Sequence, residues 1–422
     1  MVKNKKLTLM VMILLAIFLM MLILGPSLSR SIEASNNGES QLKTQPLEPG
    51  PVTSKSGQPG FSVEGDTEGE KTSDVYDEIK SPNVGFQLKY EKYLQTFIYF
   101  VVEKEKINIW SGPSIEEDVL RVANKNEKLS YYETVEKDDT WYHVTWEEDD
   151  EKQFGFVHHQ DVSKRVFQFD KMLEMIGHGE QEFKKGNLTY INNYKNLQGY
   201  APKYYGNTKD KEGNKRSQSA PGYENLSNLA EFTYLEDGSL VRVISQDSQY
   251  TKVSLLRNGK EYYVPNKYIP GLKAVTGINK VIAIDRKNQN EVIFERIDGE
   301  WKVISYTLAT TGKEGPYHVP TPLGYFYGIE KRDQFYYYKD GTNTIQGYAP
   351  YVIRFTGGAY VHGVGVDYKY EGGKRIDPGK VEYSSTIGTK PLSHKCVRNY
   401  TSHAKFLHEW FTQGETIFIV ME

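Results

Sequence analysis

A single cysteine, Cys396, in a chain of 422 residues rules out an internal disulfide, so each folded part must be held by its own apolar core. The length suits roughly two to four such parts. From Ile98 onward, short stretches with alternating apolar positions are broken by Gly, Asn and Asp turns, the pattern of a mainly β protein. The 32 tyrosines fit strands, and tyrosine faces can also stack on sugars. With 52 Lys and Arg against 55 Asp and Glu, a formal charge of −3, nothing favours nucleic acid as a partner.

The cysteine sits in Ser393-His394-Lys395-Cys396-Val397-Arg398. A free thiol is largely protonated near neutral pH, and a neighbouring imidazole can take its proton. In an extended or sharply turned segment His394 and Cys396 project to one face, and Arg398 can join them as a fork for a substrate carboxylate or carbonyl. The competing reading is a buried cysteine acting as a small hydrophobe. Polar neighbours on both sides argue against it.

The segment resembles the signature of the YkuD-type L,D-transpeptidases, Ser/Thr-His-Gly-Cys-hydrophobic-Arg followed by a helix and a last strand. Three further pieces match in order. Thr310-Thr311-Gly312 precedes Val319 to Phe326, similar to the family's Thr-Pro-x-Gly-x-Phe turn and strand. Tyr360-Val361-His362-Gly363 resembles its upstream strand ending in His-Gly. Ser402 to Gln413 has helical spacing, then Gly414 and a closing strand from Thr416 to Met421.

The resemblance covers residues 277–422 and implies a β-sandwich with one helix after the cysteine. It implies Cys396 as nucleophile and His394 as general base and acid, with the backbone N–H groups of Lys395 and Cys396 as oxyanion donors. His362, Arg398, Ser393 and Gly363 would bind or position substrate. The implied reaction is 3→3 cross-linking of peptidoglycan stem peptides through a thioester with release of D-alanine. Alternatives are L,D-carboxypeptidase action, or a catalytically weak scaffold that binds cell wall. Stem peptides and glycan are the candidate partners, and carbapenem-type inhibitors are candidate ligands. No metal and no cofactor is expected. Two features depart from the family. Lys395 stands at the usual glycine, which matters if that position needs positive φ or close approach of substrate to the backbone. Residues 367–385 form an inserted polar loop, a candidate lid or partner-binding element.

The N-terminus suggests location. Leu7 to Leu24, apolar apart from Thr8, follows Lys3, Lys5 and Lys6. Residues 1–25 are expected to be an uncleaved membrane anchor with the rest outside, on the cell-wall side. Residues 26–80, rich in Ser, Gly, Pro, Glu and Thr, read as a flexible linker. Residues 97–165 resemble a bacterial SH3 domain in Ile107 to Pro113, Asp139 to Val144 and Gly155 to His158, and residues 192–272 are expected to be a second, divergent one. Between them, Asp170 to Phe183 is the expected helix, with Met172, Leu173, Met175 and Ile176 as its apolar face. Glu147 to Glu151 reads as a solvated hairpin loop, and His158 and His159 are expected on opposite faces of a strand.

Overall fold

Lys280–Asp285 and Thr416–Met421 are nearly continuous apolar runs that pair in parallel, as strands buried on both faces do. The computed structural model describes residues 81–271 and 274–422. In it these strands are central in a six-stranded sheet ordered Gly85–Phe86, Glu300–Leu308, Asn290–Ile297, Lys280–Asp285, Thr416–Met421, Gly324–Tyr327. All six residues of the last chain segment are buried. Ile417, Ile419 and Met421 face one core, and Phe418 and Val420 face the other. Each such side chain contributes about 1.5–3 kcal/mol of burial.

The second core lies between this sheet and another, ordered Glu330–Tyr338, Ile345–Thr356, Ala359–His362, Val397–Arg398, with Val366–Asp367 also paired to Ile345–Thr356. This is the expected β-sandwich. The helix after the cysteine, Thr401–Trp410, buries Ala404, Leu407 and Trp410. It stops short of Gln413 because Phe411 turns to extended backbone (ψ 133°) and buries its ring in the sandwich core.

The outer face of the six-stranded sheet is covered by what precedes it. Helix Phe169–Lys184 lies within a residue of its expected limits and buries Phe169, Met172 and Ile176. Tyr99 and Val101 from the first β region and Leu188 and Leu240 from the second join the same cluster. The expectation of self-contained cores is therefore only half met. Each N-terminal region has a small core of its own, one around Phe100, Ile109 and Val144 and one around Val241, Val253 and Tyr262, but both are also tied into the core shared with the catalytic strands.

Residues 98–166 form a seven-stranded sheet ordered Val119–Asn124, Lys106–Trp110, Glu151–His158, Thr140–Glu148, Lys128–Glu136, Ile98–Val102, Val162–Val166. The acidic run is a hairpin turn with Asp149 and Asp150 at φ 53° and 63°. His158 and His159 do not point apart. The strand ends at His158 and a 3-10 turn begins at His159, so both rings reach Asp139, at 2.8 and 3.3 Å. Residues 188–265 hold a four-stranded sheet ordered Glu261–Pro265, Tyr250–Leu255, Leu240–Gln246, Leu188–Tyr190, and a hairpin of Ser219–Gly222 with Thr233–Glu236. The expected membrane anchor and linker lie outside the described residues, among which no helix is long and apolar enough to cross a membrane.

A buried ion pair links the second region to the sandwich. Arg354 Nη1 donates to Asp237 Oδ2 at 2.8 Å, its Nε donates to Glu330 Oε1 at 2.7 Å, and its guanidinium lies 3.9 Å from the Tyr194 ring centroid. Beside it Gly238 has φ +83°, and a Cβ there would fall 2.0 Å from the Phe355 carbonyl oxygen. Removing one partner of a buried pair strands the other charge. Asp237→Ala is expected to cost about 3–5 kcal/mol in urea unfolding, whereas Arg332→Ala, at a more exposed pair with Glu330, is expected to cost at most about 1 kcal/mol.

Candidate active site

The turn from Ser393 to Cys396 is held by its carbonyl groups. Thr311 O accepts from the N–H groups of Leu392 and Ser393, Ser393 O accepts from Lys313 N, His394 O accepts from Val319 N, and Lys395 O accepts from the Thr321 hydroxyl. Arg398 and Thr310 exchange both backbone hydrogen bonds. The two matched upstream segments, Thr310 to Gly312 and Val319 to Thr321, are thus the clamp on this turn. Gly312 is required by contact: a Cβ would lie 2.3 Å from Val319 O and 2.8 Å from Lys395 Cα. Among the described residues the N–H groups of Lys395 and Cys396 donate to no backbone or side-chain acceptor. They are the unspent donors an oxyanion needs.

Cys396 is buried, with Sγ 3.8 Å from Gly358 O, and packs with Val352, Tyr360 and Phe335. Burial pushes its thiol up to about 11, offset in part by the Tyr360 N–H, Arg398 and Lys395. The next residues pair in parallel with the strand ending in His362, Val361 opposite Val397 and His362 opposite Arg398. With alternation of two, Tyr360 and His362 share one face of the sheet with Cys396 and Arg398. His362 Nδ1 donates to Gly363 O at 2.6 Å, which leaves Nε2 of the neutral ring as an acceptor. Burial, with Arg398 adding to it, brings His362 down to about 4 against the opposing Gly363 carbonyl.

Phe335 covers this face. Its ring stacks on Tyr360 with centroids 4.7 Å apart and meets His362 edge-on at 5.4 Å. The Arg398 guanidinium has no hydrogen-bond or ion-pair partner among the described residues, and its Nε is buried without an acceptor. A cation left unpaired beside a thiol suits a substrate carboxylate. A cavity of about 490 Å³, lined by Glu236, Arg257, Arg286 and Val319 among others, includes neither Cys396 nor His362.

Several predicted residues lie elsewhere than their spacing implied. The chain turns between His394 and Cys396 without bringing their side chains to one face: the histidine is exposed and the cysteine buried. His394 Nε2 bonds Asp340 Oδ1 at 2.7 Å and its ring stacks on His318 at 4.0 Å, and no hydrogen bond joins it to the thiol. The Ser393 hydroxyl donates to Cys396 O, steadying the turn and not the imidazole. Gly363 allows close packing: a Cβ would lie 2.8 Å from Thr401 Oγ1. Lys395 lies outside the left-handed region, so the usual glycine is not needed there for φ. Its Nζ turns away to Glu236 Oε1 (3.4 Å) and Gly357 O (3.3 Å).

The inserted loop also has a local task. Its Glu382 carboxylate accepts from Ser402 N at 2.9 Å, at the start of a helix whose N-cap, Tyr400, makes no side-chain cap bond. Phe335, His318 and Asp340 belong to no motif in the sequence, and they reach the site only through loop and hairpin packing. A chain of Ser305, His403 and Glu291, with Ser305 Oγ 2.9 Å from His403 Nε2, looks triad-like. All three are fully buried, so no substrate reaches them, and with Asn399 they anchor the start of the helix.

Two consequences are measurable. A thiol raised from 9.0 to about 11 holds roughly a hundredth of the usual thiolate at pH 8. Iodoacetamide should label Cys396 about 100-fold more slowly than a free thiol, and Phe335→Ala should recover much of that rate. For His362 the folded value of about 4 lies below the unfolded 6.5, so the folded protein resists protonation. Its contribution is complete above pH 6.5 and is lost as pH falls towards 4, by roughly 2–3 kcal/mol at pH 4.5. Urea midpoints should therefore fall more steeply over this range for the natural protein than for His362→Gln.

The family model of the YkuD L,D-transpeptidase catalytic domain matches residues 279–420. Among solved structures, an L,D-transpeptidase from Mycobacterium smegmatis is 18% identical, with 43% of this chain and 82% of that one covered and a TM-score of 0.27. L,D-transpeptidase 1 of Mycobacterium tuberculosis is 17% identical, with coverage of 38% and 78% and a TM-score of 0.24. An L,D-transpeptidase in complex with imipenem is 18% identical, with coverage of 41% and 68% and a TM-score of 0.26. No curated protein sequence matches the chain. The assignment rests on the family model together with the ordered motifs. Over residues 279–420 the chain is a YkuD-type L,D-transpeptidase catalytic domain, that of a cysteine-dependent acyltransferase.

Proposed function

We propose that the protein forms 3→3 cross-links between peptidoglycan stem peptides. The observation that carries this reading is the shared sheet face of Cys396, neutral His362 and unpaired Arg398, beside the unspent N–H groups of Lys395 and Cys396. The Cys396 sulfur attacks the carbonyl of the third stem residue while its proton passes to His362 Nε2. The two N–H groups hold the oxyanion, each donor worth about 3–4 kcal/mol. Collapse breaks the bond to the terminal D-alanine, whose amine takes the proton from His362, and leaves a thioester. The side-chain amine of a second stem's third residue then gives its proton to His362 and attacks the thioester, which frees the thiol. Water in place of that amine gives L,D-carboxypeptidase action.

The base role goes to His362 in this reading, although the sequence spacing gave it to His394, because His394 is exposed and bonded to Asp340. Arg398 receives a stem carboxylate. Phe335 must move aside as substrate enters, which lets the thiolate form. The same sulfur would be acylated by a carbapenem, in keeping with the imipenem complex of an L,D-transpeptidase. Against the scaffold alternative, Lys395 lies outside the left-handed region and leaves its N–H unspent.

The lysines before Leu7–Leu24 support anchoring in the membrane with the remainder on the wall side, where this substrate is. Residues 97–165 and 192–272 act, in the same reading, as SH3-like wall-contacting domains behind a linker of residues 26–80.

Mass spectrometry of disaccharide-tetrapeptide incubated with the full chain tests the reaction. A cross-linked dimer lacking one D-alanine is expected and should vanish with Cys396→Ala. D-alanine loss without dimer would mean carboxypeptidase action, and unchanged substrate would leave a wall-binding scaffold. His362→Ala should lower kcat about 10²–10⁴-fold, and His394→Ala less than about tenfold. The reverse order would return the base role to His394.

A further inference from the structure

We propose that His318, Asp340 and His394 form a binding site for a divalent transition metal, zinc above all, that ties the tip of the covering hairpin to the catalytic turn. The three come from separate segments: the loop before Val319, the tip between strands Glu330–Tyr338 and Ile345–Thr356, and the cysteine turn. One ligand atom from each lies within 4.8 Å of the others. His394 Nε2 is 2.7 Å from Asp340 Oδ1, and the two imidazoles are stacked at 4.0 Å with 15° between their planes.

The backbone holds each ligand in place. His318 N donates to Gly315 O at 3.2 Å, and the neighbouring Val319 N donates to His394 O at 2.7 Å. The hairpin tip is closed by Lys339 N to Thr344 O and Thr342 N to Lys339 O. Two imidazoles and a carboxylate make a three-ligand zinc set with a fourth position open. Imidazole donors also favour zinc, copper and nickel over magnesium or calcium. Metal–ligand bonds of about 2.0–2.2 Å put neighbouring donor atoms a little over 3 Å apart, so side-chain rotations of about 1 Å suffice. The proton that His394 Nε2 shares with Asp340 leaves to solvent as the metal takes its place.

This site bears on the reaction through Phe335, on the same hairpin as Asp340 and lying over Cys396 and His362. A metal cross-link between the tip and the turn holds that cover closed. Bound zinc is therefore inhibitory, and its effect on the thiol can be read without turnover.

The test uses the full chain carrying His158→Ala, which removes one ligand from the separate Asp139, His158 and His159 group. Cobalt(II) should produce visible d–d absorption, and zinc should displace it. Zinc should also slow iodoacetamide labelling of Cys396 at least fivefold. Adding His318→Ala or Asp340→Asn should weaken cobalt binding tenfold or more and abolish the zinc effect on labelling, while Cys396→Ala should keep the cobalt spectrum. If cobalt binds equally well after both substitutions, the site is elsewhere and the proposal fails. If it binds to these residues but zinc slows labelling equally without them, metal reaches the thiol directly and the clamp is wrong. Neither result depends on peptidoglycan turnover, so the fate of the transpeptidase reading stays separate.

Discussion

The described structure depends on one sheet that must be covered on both faces. Thr416–Met421 alternates between two cores, and neither set of side chains can be left in water at about 1.5–3 kcal/mol apiece. One face is met by the second sheet of the sandwich. The other is met by helix Phe169–Lys184, the strap around Gly85–Phe86 and residues of both N-terminal β regions. The N-terminal regions are thus part of how the catalytic domain buries its own strand.

That arrangement fixes the catalytic turn. The strand Val397–Arg398 is only two residues long and gains its place by pairing with Ala359–His362 on one side and bonding Thr310 on the other. The turn before it spends its carbonyls on Lys313, Val319 and Thr321 and keeps the Lys395 and Cys396 N–H groups in reserve. Donors fixed in advance need no reorganisation when charge develops, which is what makes them effective. The thiol is buried against Val352, Tyr360 and Phe335, and this burial favours its neutral form. Reactivity is therefore a matter of uncovering as well as of acid–base partnership.

The replacement of the usual glycine by Lys395 shows how a local rule can be absorbed by a distant contact. The backbone there needs no positive φ, and the long side chain lies along the boundary with the second β region, where Glu236 and Gly357 O receive its ammonium. Arg354 forms a pair with Asp237 almost without solvent, and its other edge reaches the partly exposed Glu330. Buried polar contacts of this kind fix geometry more than they add stability. The Lys395 contact with Glu236 joins the cysteine turn itself to the second β region.

The sandwich, its closing strand, both helices and the cysteine turn were legible in the chain, because alternation, helical spacing and ordered motifs are local properties. The Thr310 to Gly312 and Val319 to Phe326 segments were visible as motifs, but their job as a clamp on the turn was not. Spacing paired His394 with Cys396, and a bend of three residues separated them, whereas His362 came to the thiol's face through a parallel pairing across more than thirty positions. Phe335, His318 and Asp340 carried no signal, since hairpin and loop packing alone bring them to the rim. By itself the sequence determined that there is one thiol, which motifs surround it and which segments become strands. Tertiary structure decided which histidine shares its face, which donors stay unspent and how deeply the sulfur is buried, because each depends on contacts between strands far apart in the chain.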